Sequence, residues 1–283
     1  MLTPKVTVAI PTFNRYELLL RAIDSVVRQS FTDFELLIVD NASTDETRNL
    51  ARASNDARLR YVRNSENLGI IGNWNRSIDL ACGEYILIFH DDDLMHPTFL
   101  QRSIAALDEH PTVGFCFPLV RRVDLQGSFL NLWCDNYNDS GKISGIRYLE
   151  ITLEKERCIS IAPSMLFRKS VYDTLGFYAQ EYGFNTFDLN FFGKAALDYD
   201  VYIIDEILFD YTIHPHQMSE RHWRTPNSPT GPIGMLIELI GIVSTLTERE
   251  YAQDLDNRKF LAERLASINH NLIKHIATEI RDI

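Results

Sequence analysis

The run His90-Asp91-Asp92-Asp93 closes the apolar stretch Glu84 to Phe89, and it is the part of the chain best suited to chemistry. Adjacent carboxylates repel one another, and partial burial at a strand end makes the repulsion worse. A divalent cation removes the conflict. Mg2+ and Mn2+ take oxygen ligands and are held by one or two carboxylates together with phosphate oxygens. Such an ion would also offset the charge of a diphosphate ligand. The bland alternative is a solvated acidic turn that caps the next helix, a role Asp fills readily. No G-x-x-x-x-G-K-S/T or G-x-G-x-x-G loop is present to hold phosphates in another way.

The elements around this run read as alternating strands and helices. Val6 to Ile10 is a β-branched run ended by Pro11, which cannot donate to a ladder. Leu19, Ala22, Ile23, Val26 and Val27 form a helical stripe within residues 16–29. Glu35 to Val39 is a second strand, followed by the turn-rich loop Asp40 to Asp45. Ser43 and Glu46 have the spacing of a capping box for a helix running to about Arg52. Leu59 to Val62, a helix over Asn73 to Ala81 ended by Gly83, the strand Glu84 to Phe89 and a helix over Pro97 to His110 complete the first part. This alternation predicts an α/β fold, a mainly parallel sheet with helices on both faces. Ligands of such sheets bind at the carboxyl ends of the strands. Pro11-Thr12, Asp40-Asn41 and His90 to Asp93 therefore converge on one edge.

Further on, Val113 to Val123, Ser164 to Arg168 and Val201 to Ile204 read as strands, Asp124 to Gly127 as a turn and Phe187 to Ala196 as a short helix. His214 to Pro232 reads as a mobile loop or linker. Residues 233–283 read as helical, with Leu261, Leu265, Ile268, Leu272, Ile276 and Ile280 on one stripe. That stripe predicts packing within the chain, self-association, or contact with a membrane surface.

Composition bounds the function. At 283 residues, 45% hydrophobic and 24% charged, the chain suits one large α/β domain with a helical appendage. A net charge of -11 repels polynucleotide phosphates and argues against nucleic acid as a partner. Cys82, Cys116, Cys134 and Cys158 lack C-x-x-C spacing, and three of them sit among apolar residues. They read as buried free thiols in a reducing compartment. The N-terminus lacks the pattern of a signal peptide, and the apolar stretch Ile233 to Leu246 is broken by Glu238 and too short to span a bilayer. A cytoplasmic protein is expected, with room for peripheral contact at the inner membrane face.

Four ordered segments carry a resemblance. Val8 to Arg15 (VAIPTFNR), Ile38 to Asp45 (IVDNASTD), Asn64 to Gly72 (NSENLGIIG), and Gly83-Glu84-Tyr85 leading to Asp91-Asp92-Asp93 with Pro97 resemble glycosyltransferase family 2 over about the first 110 residues. The resemblance implies a GT-A fold with a nucleotide-sugar-binding half (1–110), an acceptor half (111–225) and a C-terminal helical region (226–283). It implies inverting transfer from a nucleoside-diphosphate sugar, with Mn2+ or Mg2+, to a saccharide or lipid-linked acceptor in surface polysaccharide synthesis.

Carried over by position, the resemblance sets Pro11, Thr12 and Arg15 around the nucleoside, and Asp40 and Asn41 at the ribose and base. The family most often has Asp at the position of Asn41, so a base other than uracil, such as thymine, enters consideration. Asn67 and Asn73 help close over the nucleoside, or serve as loop and cap residues. His90 stands where the family's signature has its first Asp. Asp92 then takes the metal-ligand position and Asp91 a sugar or phosphate contact, while Asp93 is read as a helix cap. Asp188 matches the Asp of the family's Glu-Asp pair, with Phe187 in place of Glu, and reads as the general base that takes the acceptor's proton. His214, in Tyr211 to Ser219, matches a histidine that reaches the metal or diphosphate. His216, Arg221, His222 and Arg224 form a basic cluster beside it. His90 and the missing Glu motivate an alternative, a sugar-nucleotide-binding or assembly protein without catalysis. A sugar nucleotidyltransferase is disfavoured by the absence of a Gly-rich triphosphate loop.

Overall fold

A computed structural model describes residues 3–50, 56–134, 139–156, 158–178, 187–215, 217, 239–244, 246 and 253–281, with side chains in the last helix described for 256–271. The chain divides into two compact units. The first comprises Met1–Gly145, Ser160–Tyr178 and Asp198–Ile213, the second Ile146–Ile159, Ala179–Leu197 and His214–Ile283.

The first unit is built on a 10-stranded sheet. Its strands are β1 (Val6–Thr12), β2 (Phe34–Asp40), β3 (Leu59–Arg63), β4 (Tyr85–Ile88), β5 (Leu94–Met95), β6 (Val113–Val123), β7 (Phe129–Leu132), β8 (Gly141–Ile143), β9 (Leu166–Arg168) and β10 (Asp200–Thr212). The order is β3-β2-β1-β4-β9-β6-β10-β5, with β7 on β6 and β8 on β10. β1, β2, β3 and β4 pair in parallel, as do β6 and β10. The short β9 runs antiparallel between β4 and β6 and joins the two parallel blocks.

Helices cover both faces. Val6, Val8, Ile10, Leu36, Ile38, Tyr85 and Leu87 share one core with Leu19, Ala22 and Val26 of α1 (Tyr16–Val27). α2 (Gly69–Leu80) buries Trp74 and Ile78 and packs on β1, β2 and β4. α3 (Phe99–Glu109) adds Phe99, Leu100, Ile104 and Leu107 to the α1 face. With both faces covered, every residue of β1 is buried, which accounts for its unbroken apolar run.

Gly83 matters for a reason other than ending a helix. A Cβ there would lie 2.4 Å from the Thr7 nitrogen, so only glycine lets the turn before β4 sit against the start of β1. Thr7 Oγ1 accepts from the Gly83 N–H at 2.8 Å and fixes that approach.

The second unit contains most of α4 (Gly145–Lys155), α6 (Phe187–Asp198) and α7 (Leu255–Arg281); α5 (Lys169–Leu175) belongs to the first. Within the second unit, Leu261 and Ile268 of the predicted stripe are buried, and Ser267 Oγ donates to Glu156. The side chains of Leu272, Ile276 and Ile280 lie outside the described residues.

Several expectations are corrected. The Ser43–Glu46 capping box does not form: Asp45 accepts from the Thr47 N–H at 3.1 Å and caps a 3-10 turn, Glu46–Asn49, while Ser43 Oγ accepts from Asn14 N–H. Asp93 is not a helix cap either; Thr98 occupies that position and makes no side-chain bond. α2 begins at Gly69 rather than Asn73. Of the cysteines, only Cys116 is buried; Cys82 is exposed and Cys134 and Cys158 are intermediate, since strand ends and turns bring those three to the margins of the packing. All four are free thiols.

Candidate active site

Parallel register builds the site. Val6 to Ala9 pair with Tyr85 to Ile88, and Phe89 N–H donates to the Ala9 carbonyl. Continuing three residues past Ala9 and Ile88 brings Thr12 beside Asp91, and Thr12 Oγ1 donates to Asp91 Oδ2 at 2.7 Å. On the other side, Thr12 pairs with Asp40, and the Asn41 N–H donates to the Thr12 carbonyl at 2.9 Å. Pro11-Thr12, Asp40-Asn41 and the acidic run thus meet at one carboxyl edge of the sheet.

Arg15, at the start of α1, closes the group. Its Nη1 lies 2.6 Å from Asp92 Oδ2 and 3.1 Å from Asp91 Oδ1. The loop that carries it is held by Asn14 and Ala42, both in left-handed backbone at φ 54° and 65°. Such backbone is uncommon outside glycine and concentrates at functional loops. The two loops lock together where Thr44 N–H donates to Asn14 Oδ1 at 2.7 Å. Asp45 accepts from Tyr16 N–H at 3.1 Å and so also caps α1.

The electrostatics are unbalanced. Asp91 and Asp92 are each 6% exposed and Asp93 is fully buried. Burial pushes Asp91 upward; Arg15 offsets part of this and Asp92 adds to it. Burial, then Asp92, holds Asp93 well above the usual carboxylate range. Burial alone would lower Arg15, but Asp91 and Asp92 outweigh it and keep the guanidinium charged. Burial, with Arg15, pushes the His90 imidazole down to about 4 against the pull of Asp92, so it is neutral at pH 7. Asp93 Oδ1 accepts from Thr212 N–H at 2.9 Å, but its Oδ2 has no hydrogen-bond partner, and neither has His90 Nε2. Buried groups left in that state cost stability unless a ligand or ion satisfies them. His90, Asp92 and Asp93 each present a ligand-capable atom, all within 4.8 Å of one another. The donor set of two carboxylates and an imidazole fits a divalent cation.

The β2 end differs. Asp40 is fully buried; its carboxylate accepts from Ser43 N–H at 2.8 Å and from the Tyr61 hydroxyl, with Arg63 Nε 3.5 Å away. The Asn41 amide donates to Asn67 Oδ1 and the Gly69 carbonyl, and its oxygen accepts from Asn64 Nδ2 and Leu68 N–H. Asn64 also donates to Asn73 Oδ1, and Asn73 donates to the Val39 carbonyl. Asn64 is thus a hub of the network, a role that its place in the Asn64 to Gly72 motif does not itself reveal. Its position just past β3, opposite Asp40-Asn41, was the available signal.

Asp188 and His214 lie in the second unit. Asp188 is in the first turn of α6, where its Oδ1 accepts from Leu189 N–H at 2.8 Å. His214 is 3% exposed, and its carbonyl accepts from Gln217 N–H. His216, Arg221, His222 and Arg224 fall outside the described residues.

A cluster of buried carboxylates at the carboxyl edge of a largely parallel sheet lies where α/β proteins of this kind place their ligand sites. The model for glycosyl transferase family 2 matches residues 7–176, more than half the chain, so this protein belongs to glycosyl transferase family 2, a family of transferase enzymes. A 93-residue stretch is 39% identical to the GalNAc(5)-diNAcBac-PP-undecaprenol beta-1,3-glucosyltransferase of Campylobacter jejuni, covering 32% of this chain and 30% of that protein. Two further glycosyltransferases named for biosynthetic pathways are matched over 42% and 44% of their length. The chain therefore aligns with less than half of these relatives. Among solved structures, S. aureus TarS 1-349 in complex with UDP-GlcNAc superimposes with a TM-score of 0.69 at 20% identity, over 92% of this chain and 71% of that one. The mannosyltransferase PcManGT of Pyrobaculum calidifontis, in complex with GDP-Man and Mn2+, gives 0.60 at 20% identity, over 98% and 76%. At such identities the likeness establishes the fold. No helix among the described residues is long and apolar enough to cross a membrane.

Proposed function

We propose that this chain is a metal-dependent inverting glycosyltransferase that moves a sugar from a nucleoside-diphosphate sugar to a saccharide or lipid-linked acceptor in surface polysaccharide or glycolipid synthesis. The observation that carries the reading is the convergence of Thr12, Arg15, Asp91 and Asp92 beside the unsatisfied Asp93 carboxylate. A relative named for a PP-undecaprenol-linked saccharide and another named for colanic acid biosynthesis support the acceptor class, and a neighbour in complex with GDP-Man and Mn2+ supports the cation.

In this reading residues 1–110 bind the donor, 111–225 the acceptor, and 226–283 form the helical region. Pro11 and Thr12 wall the nucleoside pocket. Asp40, Asn41, Asn67 and Asn73 act on the nucleoside through the loops they hold in place. Asp91 orients the sugar or phosphate. Arg15 moves from carboxylates to the donor's diphosphate, which offers bidentate hydrogen bonding. Asp92 and His214 hold Mn2+ or Mg2+, which when bound supplies electrostatic stabilisation for the departing nucleoside diphosphate. Asp188 takes the proton of the acceptor hydroxyl as that oxygen attacks the anomeric carbon. The bond from that carbon to the diphosphate oxygen breaks, and its electron pair leaves with the nucleoside diphosphate. Attack opposite the leaving group inverts the anomeric centre. The C-terminal helix offers a surface for self-association or for contact with the inner membrane face.

The test is turnover of a panel of nucleoside-diphosphate sugars with Mn2+, beside thermal shifts with the matching nucleoside diphosphates. Wild type turns over one donor, and Asp188→Asn lowers kcat by about 10^2- to 10^4-fold while the nucleotide-induced shift is retained. Full activity in Asp188→Asn removes the base assignment. Neither turnover nor a shift with any donor removes the reading.

A further inference from the structure

His90 interrupts what would otherwise be an all-oxygen cluster. One ligand-capable atom from each of His90, Asp92 and Asp93 lies within 4.8 Å of the others. One carboxylate oxygen of this group is unsatisfied. Asp93 is 0% exposed and its Oδ2 has no hydrogen-bond partner, although Oδ1 is held by Thr212 N–H. His90 Nε2 is buried with no partner either. The other ring nitrogen, Nδ1, stands 3.6 Å from Asp93 Oδ2, beyond hydrogen-bond length. Packing sets the ring: its centroid lies 5.2 Å from that of Trp74, which is itself buried in α2 and also packs edge-on against Tyr178. A histidine fixed by an aromatic wall presents a nitrogen to an unsatisfied carboxylate at 3.6 Å, a separation that two ligands of one cation can have.

We propose that His90 is a nitrogen ligand in a mixed His90–Asp92–Asp93 cation site, and that it makes this chain select a first-row transition ion, Mn2+ or a later member of the series, over Mg2+. This rests on the metal reading of the acidic run given above. Mg2+ demands near-ideal octahedral oxygen coordination and gives up its waters reluctantly, whereas imidazole suits the first-row divalent ions. An aspartate at position 90 would present oxygen only and would lose that discrimination. Asp93 gains a partner for its unsatisfied Oδ2. Asp92, paired with Arg15 before the donor binds, is the third ligand.

The experiment is a titration of Mn2+ into the full chain, alone and with inorganic pyrophosphate, followed by EPR, with pulsed EPR to detect nitrogen coupling. Wild type shows a 14N coupling on bound Mn2+ that changes to 15N when histidine is labelled, and it binds Mn2+ in preference to Mg2+. His90→Asp binds Mn2+ without the coupling from residue 90, and its Mn2+ over Mg2+ preference falls at least about tenfold, the difference expected of one nitrogen ligand. His90→Gln, which keeps a polar side chain without imidazole, loses the same coupling and covers the case in which the aspartate variant does not fold. His214→Ala retains a coupling, because His90 remains. A histidine coupling unchanged in His90→Asp and His90→Gln, or an unaltered preference between the ions, overturns the role of His90 while leaving the metal reading intact. Absence of saturable Mn2+ binding by wild type overturns both.

Discussion

Two buried polar clusters sit at the same edge of the sheet and are built on opposite terms. At the end of β2, Asp40, Asn41, Asn64 and Asn73 satisfy one another and the backbone, and both amide hydrogens of Asn41 are directed at the chain itself. At the end of β4, Asp91 and Asp92 both pair with the Arg15 guanidinium, while Asp93 Oδ2 and His90 Nε2 have no hydrogen-bond partner. A fully satisfied polar network rigidifies and specifies a shape. An under-satisfied one stores a demand that a ligand can meet. The difference separates scaffold from site more clearly than residue type does, since both clusters are built around buried carboxylates.

The comparison can be broken at either end. The largest expected effect is at β4: Asp92→Asn lowers kcat on the order of 10^2- to 10^3-fold, while the melting temperature changes little, because a repelling charge is removed along with the pairing to Arg15. An unchanged kcat would place Asp92 with the scaffold. At β2 the balance reverses. Asn41→Leu strands the buried groups of Asn64 and Leu68 and lowers stability by about 3 kcal/mol, measured by denaturant unfolding. Loss of donor binding with no loss of stability would instead mark Asn41 as a direct contact.

The smallest effect concerns Asp93 and sharpens the comparison through pH. Its folded pKa is raised, so between the unfolded value near 4 and the folded value the native state holds the extra proton. Stability then falls as pH rises through that window. His90, whose pKa is lowered, contributes the opposite slope over about 4 to 6.5. The difference between the wild-type and Asp93→Asn profiles isolates the aspartate. The variant, in which Oδ1 can still accept from Thr212, gains on the order of 1 kcal/mol at neutral pH, with a flatter difference profile below about pH 4. An identical pair of profiles would show that Asp93 is not held as a strained acid.

Much of the first unit was legible in the sequence. β1, β2 and β4 are apolar runs whose ends lead to Thr12, Asp40 and His90 and so name the site, although β1 does not stop at Pro11 as expected: Pro11 still pairs with Val39, and the strand runs to Thr12. The start of α2 was not legible, because Leu68 at its N-cap makes no side-chain bond and so leaves no signature. β10 was read as Val201 to Ile204 but runs to Thr212. Asp205, Glu206 and Ile207 are exposed within it, and register shifts around Ile207 break the alternation that marks a strand. β5 has two residues, too few for any pattern. Among the site residues, the acid run and Thr12 were evident by type and position. The saturation of Asn41 and the isolation of Asp93 were not, since neither is a property of the residue alone.

The sequence by itself determined that an acidic run would stand at the carboxyl end of a parallel strand, beside two other polar loop starts. Local runs of apolar residues and their terminators suffice for that, because strand formation and chain direction follow from neighbours in sequence. The tertiary structure alone decided which of those acids would be satisfied. Thr12 meets Asp91 across 79 positions and Thr212 meets Asp93 across 119, and Arg15 must arrive from the start of α1. Charge balance and hydrogen-bond supply inside a buried cluster depend on which distant backbone and side-chain groups arrive there. Only the sheet order and the loop backbone at Asn14 and Ala42 settle that.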